Sequence, residues 1–493
     1  MAVSFKGDPS FTGYSAPTRF EADVFDCEVE GKIPLDLDGA FYRIGPDAFY
    51  PPKFKDDASL FHGDGHVGMF RIHKGSCDYK SRYVRTPRYL ADRRARKQLF
   101  GNYRNYGTND PAVRGLHGTV ANTALVHNAG QLFALKEDSL PWELDPNTLE
   151  TRGTHDFHGR YLSKTFSAHP KIDPISGDLL TFGYEATGEL SDDVFFYVIG
   201  KDGNVKHEVR FKAPVVSMMH DMAITRTHVI FNTCGFTSNK AWLDSGKVHW
   251  GWDATIPTWV GIMPREGTAR DIRWFRGPER AAIHLLNAQT IGDKVIVEAP
   301  VSNANPFPFL PQTDGSVWNP ANGRITLRRW TFDLGSSKDT WEEECLFPEI
   351  AAALPRIDER FWSLPYRYGF VGYPDASRPF DVARSRAPQQ GRITNCYGRL
   401  DFRTGKVDTY FAGDTHSLSE VQFVPRHRGA EEGDGYLIGH CANFAEMCSE
   451  LVIADATRLA DGDIARIRLP FRAHTQVHGW WVDATDLPLV DPS

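Results

Sequence analysis

From Thr119 onward the chain reads almost entirely as short β-favouring runs separated by turn dipeptides, and this punctuation constrains the fold more than any other feature. The runs include TALVHNAGQLFALKED, DVFFYVIGKDGNVKHEVRF, THVIFNTCGF, GDKVIVEAPV, GRITLRRWTFDL, GRITNCYGRLDFRTGKVDTYF, VQFVPRHRGAEEGDGYLIGH and SELVIADA. Gly-Asp, Asn-Gly and Asp-Gly pairs close tight turns because Gly, Asn and Asp tolerate the positive φ that such turns need. Meandering antiparallel sheet is therefore expected. Upstream, Ala40–Ile44 predicts a short strand ended by Gly45-Pro46, and His66–Ile72 with Ser76–Tyr83 predicts a hairpin about Lys74-Gly75. Long amphipathic helices are not evident; residues 86–118 begin with helical character and end as a polar, turn-rich loop.

Many short meanders in one unbroken chain of 493 residues favour a β-propeller. A sandwich of this length would need several domains, and no boundary or low-complexity linker marks one. Residues 1–493 are accordingly expected to be a single all-β domain. The repeats are too dissimilar to count blades from the text. Two irregular stretches, 236–280 (Trp-rich, with Pro257 and Pro264) and 303–322, interrupt the strands. Together with 86–118 they are expected to gather on one face as a cap.

Composition excludes several functions. No stretch approaches the ~20 apolar residues of a membrane helix, and the N-terminus lacks the apolar core of a secretory signal. The formal charge of −7 is scattered along the chain, which argues against nucleic acid as a partner. The cysteines (Cys27, Cys77, Cys234, Cys345, Cys396, Cys441 and Cys448) are widely spaced with no CxxC pair, as expected for reduced thiols in a cytoplasmic protein.

The chemistry-bearing feature is a recurring histidine at the mouth of strand pairs. SKTFSAHPKIDPISGDLLTFGY holds His169, SMMHDMAIT holds His220, AAIHLLNAQT holds His284, and AHTQVHGWWVDA holds His474 and His478. Any one of the 18 histidines taken alone reads as a surface or hydrogen-bonded core residue. Four of them, each beside strands, suggest a metal at the hub of a closed β structure; neutral imidazoles suit iron, copper or zinc. HTQVH lacks the glutamate of HExxH, so a metalloprotease reading fails.

FHGDGHVGMF, SAHPKIDPISGD, HDMAIT, HLLNAQTIGD, LPRIDERF, FVPR and the terminal HGWW occur in that order. Together they resemble the carotenoid cleavage oxygenase family from about Gly31 to about Asp483. The resemblance implies a seven-bladed β-propeller with a loop and helix cap over an axial Fe(II) held by His169, His220, His284 and His478. It leaves His474 spare and places His62 and His66 in the FHGDGH loop, away from the metal. Glu137 and Glu420 map to the glutamates that orient ligand histidines, and Thr123 to a threonine beside a vacant metal position. One position departs: the glutamate expected just before LPRID is Ala353. Glu349 or water then substitutes, or His284 is held less firmly.

Within the family, the closer similarity is to the lignostilbene-cleaving branch. It rests on Tyr103 in GNYRNYGTND, with Tyr106 close enough to be confused with it, and on Lys136 in ALKED. The branch pattern has these two residues grip the 4-hydroxyl of a phenylpropenoid, with Phe61 and Phe307 as aromatic walls. A phenol (pKa near ~10) and a lysine (near ~10.4) stabilise each other's charged forms in a desolvated site. The implied activity is Fe(II)-dependent cleavage of the central C=C of 4-hydroxystilbenes by O₂ into two aromatic aldehydes such as vanillin. Propenylphenol (isoeugenol) cleavage, apocarotenoid cleavage and a non-catalytic partner-binding propeller are the alternatives. No stable membrane insertion is expected, and a homodimer is left open.

Overall fold

Antiparallel meanders repeat along the chain, each strand hydrogen-bonded to the next. The computed structural model describes residues 4–5, 9–54, 59–386, 393–473 and 476–488. Five meanders are continuous in sequence. They run from Ala124–Asn128 to Thr151–Thr154, Lys171–Ile172 to Val205–Lys212, Met222–Ile224 to Arg273–Gly277, Asn287–Ile291 to Glu342–Cys345, and Ala353–Ile357 to Lys406–Phe411. These are the second to sixth blades of a seven-bladed β-propeller.

The first and seventh blades are each built from both ends of the chain. His478–Asp483 pairs with Gly39–Ile44 as the inner strand of the first blade, and Glu28–Gly31 pairs with Ala465–Arg468 as the outer strand of the seventh. Sharing strands in this way closes the ring without an open seam. Inner strands meet around the axis: His478–Asp483 touches Ala124–Asn128 on one side and Gln422–Pro425 on the other. Between blades the core is apolar, as where Ile230, Val260 and Phe275 meet Val295, Val297, Trp330 and Phe332.

The Lys74-Gly75 hairpin forms as expected, with both turn residues at positive φ (49° and 82°). Two expectations need correction. The strand expected to stop at Gly45-Pro46 runs through to Asp47, because beyond Ile44 it has a partner on one side only. On that open side a proline removes no ladder hydrogen bond. Likewise, Thr258–Pro264 and Arg273–Gly277, inside the stretch expected to be irregular, are the third and fourth strands of the fourth blade. Pro257 and Pro264 bracket the first of these rather than interrupting it.

The rest of 236–280 is a short hairpin (Phe236–Thr237 with Gly251–Trp252) and the helix Lys240–Asp244. This segment is stitched to its neighbours through backbone groups. Trp252 N–H donates to Pro311 C=O (2.9 Å) and His249 N–H to Tyr103 C=O (2.9 Å), while Asn105 Nδ2 donates to the carbonyls of Leu243 and Lys247. The loops 303–322 and 101–110 are thereby tied to the hairpin–helix segment. The helix Pro87–Ala95 is capped by Thr86, whose hydroxyl accepts from Tyr89 N–H. None of the described helices is long and apolar enough to cross a membrane.

Candidate metal centre

Each of four histidines stands at or just before the start of an inner strand: His169 before Lys171–Ile172, His220 before Met222–Ile224, His284 before Asn287–Ile291, and His478 at the head of His478–Asp483. Equivalent places on different blades lie equally close to the axis, so ring closure brings together side chains far apart in sequence. His169 Nε2 lies 3.0 Å from His220 Nε2, which is 3.2 Å from His284 Nε2. One nitrogen from each of the four falls within 4.8 Å of all the others. His220 reaches this position at φ 37°, a left-handed conformation that costs a β-substituted residue about 1 kcal/mol or more.

The protonation pattern says what such a cluster fits. His220 Nδ1 is hydrogen-bonded to Glu137, and His478 Nδ1 to Glu420 Oε1 (2.9 Å). A ring that donates from Nδ1 to a carboxylate presents a lone pair at Nε2. Burial, reinforced by the neighbouring imidazoles, holds His169 and His284 well below the usual histidine pKa, so both stay neutral donors. Burial alone would raise the Glu137 carboxyl, but attraction to His220 and its hydrogen bond bring it down to about 2. Converging neutral nitrogen lone pairs repel one another unless a cation sits among them. A borderline divalent metal ion fits this donor set.

Residues beyond the expected set tie the histidine-bearing segments together. Asp221 is the main one. Its Oδ1 accepts from Met222 N–H (2.7 Å) and pairs with Lys171 Nζ (2.8 Å), and its Oδ2 accepts from Leu285 N–H (2.8 Å). One buried carboxylate, itself directly after His220, thus joins the strand following His169, the strand starting at Met222 and the residue after His284. An acid directly after a candidate ligand histidine was the only sequence signal for it. Glu420 Oε2 likewise accepts from Gly479 N–H and pairs with two arginines, the buried Arg43 (3.2 Å) and the half-buried Arg356 (3.1 Å).

A second cluster stands beside this one. Lys136 is 2% exposed, with its Nζ 5.0 Å from the ring centroids of both Phe61 and Tyr103, which stack 4.8 Å apart. Tyr103 is buried whereas Tyr106 is 47% exposed, which separates the two tyrosines that the sequence could confuse. His62 Nε2 accepts from Tyr103 N–H (3.2 Å). His66 stacks on Tyr83 and faces Asp47, away from the four-histidine set. Phe309 makes an edge contact with Phe61 (5.9 Å) and stacks on Phe307 (5.2 Å), so Phe309 links these two rings. The apolar cluster holding Phe61, Tyr103 and Leu310 also contains Met219 and Ile283, sequence neighbours of His220 and His284, so the two clusters are continuous. Thr123 is half-buried, its hydroxyl donating to Asn122 Oδ1 (3.2 Å). His474 lies outside the described residues.

The profile of the retinal pigment epithelial membrane protein family, the carotenoid cleavage oxygenases, matches residues 15–483. The chain belongs to this family. The oxygenase is 41% identical to lignostilbene-α,β-dioxygenase isozyme III of Sphingomonas paucimobilis, covering 98% of this chain and 99% of that one. It is 40% identical to isoeugenol monooxygenase of Pseudomonas nitroreducens, with 98% and 99% covered. The crystal structure of Pseudomonas brassicacearum lignostilbene dioxygenase superposes with a TM-score of 0.94 at 40% identity, covering 98% of this chain and 100% of that one. The alternative of incidental core histidines in a non-catalytic propeller is set aside by this membership and by their convergence.

One departure from the family pattern persists in the oxygenase. Among the described residues no carboxylate hydrogen-bonds or ion-pairs with His284, and Glu349 is exposed rather than turned toward it. Ala353 is half-buried at the start of the sixth blade's inner strand. Ala353→Glu is expected to tighten metal binding by ~10-fold or more by orienting His284. Competitive chelator titration of the two proteins tests this, and equal affinities would show that His284 is held well enough without it.

Proposed function

We propose that this oxygenase uses Fe(II), held by His169, His220, His284 and His478, to cleave the central C=C bond of 4-hydroxystilbenes of the lignostilbene type. The double bond and O₂ are consumed together, one oxygen atom going to each carbon, and two aromatic aldehydes leave, vanillin among them for a guaiacyl ring. The reaction needs no external reductant. When bound, ferrous iron supplies the binding and activation of O₂. Glu137 and Glu420 keep His220 and His478 turned inward, and Thr123 narrows the approach to the metal.

The observation that carries the substrate assignment is the buried Lys136 amine set against Phe61 and Tyr103. Two stacked rings offer a flat apolar wall for an aryl group, with a cation at its end. Burial raises the Tyr103 hydroxyl well above the usual tyrosine pKa, so it remains a neutral donor. Lys136 can then stabilise a substrate oxyanion while Tyr103 donates to the same oxygen. A 4-oxido group conjugated through the ring enriches the side-chain alkene in electrons, which is what attack by O₂ requires.

Isoeugenol carries the same 4-hydroxyl and is the second reading, favoured by the close similarity to isoeugenol monooxygenase. An apocarotenoid has no phenol to compensate a buried cation. Oxygen uptake with a 4-hydroxystilbene, its 4-methoxy analogue, isoeugenol and an apocarotenal tests the assignment. The 4-methoxy compound is expected to react ~100-fold more slowly or worse, because it leaves the polar groups of the site unpaired. Equal turnover of the two stilbenes would remove the phenol from the mechanism.

A further inference from the structure

Lys136 is a buried cation that makes no ion pair among the described residues, although Asp138 and Glu137 attract it. Among the described residues its one hydrogen bond is to a neutral group, Asn122 Oδ1, at 3.0 Å. The carboxylates beside it in sequence are engaged elsewhere. Glu137 Oε1 accepts from Tyr184 Oη (3.2 Å) and bonds His220, and Asp138 Oδ1 accepts from Thr119 Oγ1 (2.6 Å). The nearby cations are occupied too: Arg104 pairs with Glu185, and Arg88 donates to the carbonyls of His62 and Gly118.

Asn122 is built into this position. It is 1% exposed, and its Nδ2 donates to Gly63 C=O (2.8 Å), which fixes the amide so that Oδ1 faces Lys136 and the Thr123 hydroxyl. The same Phe61-His62-Gly63 segment stacks on Tyr103, accepts from its N–H and anchors Asn122. A carboxylate in place of this amide would have nearly the same shape and would neutralise the ammonium from within the protein. The amide orients the amine without pairing its charge.

We infer that Asn122 is a positioning residue whose neutrality reserves the charge of Lys136 for an oxyanion on the substrate, so that the Asn122–Lys136 pair sets the preference for ionisable phenols over their ethers. This rests on the phenol reading above and goes beyond it by assigning the discrimination to an uncharged neighbour of the lysine. Substrate binding then completes the ion pair. The aryl-O–H bond breaks, its proton passes to solvent or buffer base, and the phenolate oxygen faces Nζ.

The test uses the metal-loaded protein with a 4-hydroxystilbene bound without oxygen, where ionisation of the phenol shifts its absorption to longer wavelength. In the wild type the bound probe is expected to titrate well below the free phenol value of ~10. Asn122→Asp is expected to raise that apparent pKa by ~2 units, lower turnover of the 4-hydroxystilbene by ~100-fold, and reduce the preference over the 4-methoxy analogue to less than tenfold, with metal content unchanged. Asn122→Ala keeps the amine unpaired but unheld, so the probe stays ionised while KM rises. Asn122→Asp with a wild-type probe titration would overturn the inference, as would Asn122→Ala with a neutral probe and full metal. A wild-type protein that binds the probe neutral and turns over both stilbenes equally would instead remove the phenol reading itself.

Discussion

Lys136→Met is expected to lower kcat/KM for a 4-hydroxystilbene by about 10³-fold while bound metal stays at the wild-type level. Methionine preserves the unbranched shape of a side chain whose end lies 5.0 Å from the Phe61 and Tyr103 ring centroids, so packing changes little. What disappears is the positive charge at the end of the aryl wall. Without it, ionising a buried phenol carries an uncompensated desolvation penalty. Proton movement at a positioned group commonly accounts for 10²–10⁴-fold in rate. Burial pulls the Lys136 amine below the usual lysine pKa, against the opposing attraction of Asp138 and Glu137. Its charge is therefore held at a cost that an oxyanion would relieve. Oxygen uptake and metal analysis on the same preparation check the prediction; parallel loss of turnover and metal would make Lys136 a structural residue.

Glu420→Gln is expected to affect stability and metal together. The carboxylate holds His478 Nδ1, Gly479 N–H, Arg43 and Arg356 at once, and Arg43 is completely buried. Removing one partner of a buried ion pair strands the other, at about 3–5 kcal/mol; glutamine also releases the orientation of His478, one of the proposed ligands, worth ~10–100-fold in metal affinity. The pH dependence has a definite sign. Burial would raise the Glu420 carboxyl, but Arg356, His478 and Arg43 hold it well below its ordinary value of 4.5. A depressed carboxyl contributes stability that is fully present above 4.5 and is lost as pH falls from there toward its folded pKa. Denaturant unfolding of the metal-free proteins should show the wild type losing stability on acidification below pH ~4.5, with the Glu420→Gln protein starting lower and losing less. Parallel pH curves would show that this carboxylate does not control the acid sensitivity.

The limits of the sequence are clearest at particular residues. The Lys74-Gly75 turn and the meander strands were legible because turn chemistry and alternation are local properties. The histidines were legible as a repeated context beside strand pairs, with His474 and His478 both offered in the last of them, and the ordered motifs chose His478. Strand Thr258–Pro264 was missed because its prolines read as breakers, although both stand at its ends. Asn122 gave no signal at all. An asparagine in a turn-rich VANTALV segment is ordinary until the fold sets Lys136 3.0 Å from its oxygen.

The sequence by itself determined the all-β meander and the strand-flanking histidines, since each depends on residue type and near neighbours, while its ordered family motifs singled out His478 and the departure at Ala353. Tertiary structure alone decided that imidazoles from four blades share one point, that Asp221 joins three of their segments, and that Lys136 meets an amide rather than a carboxylate. The physical reason is ring closure: pairing His478–Asp483 with Gly39–Ile44 sets where every inner strand meets the axis. The environment of a buried charge is then fixed by partners that lie on different strands and blades.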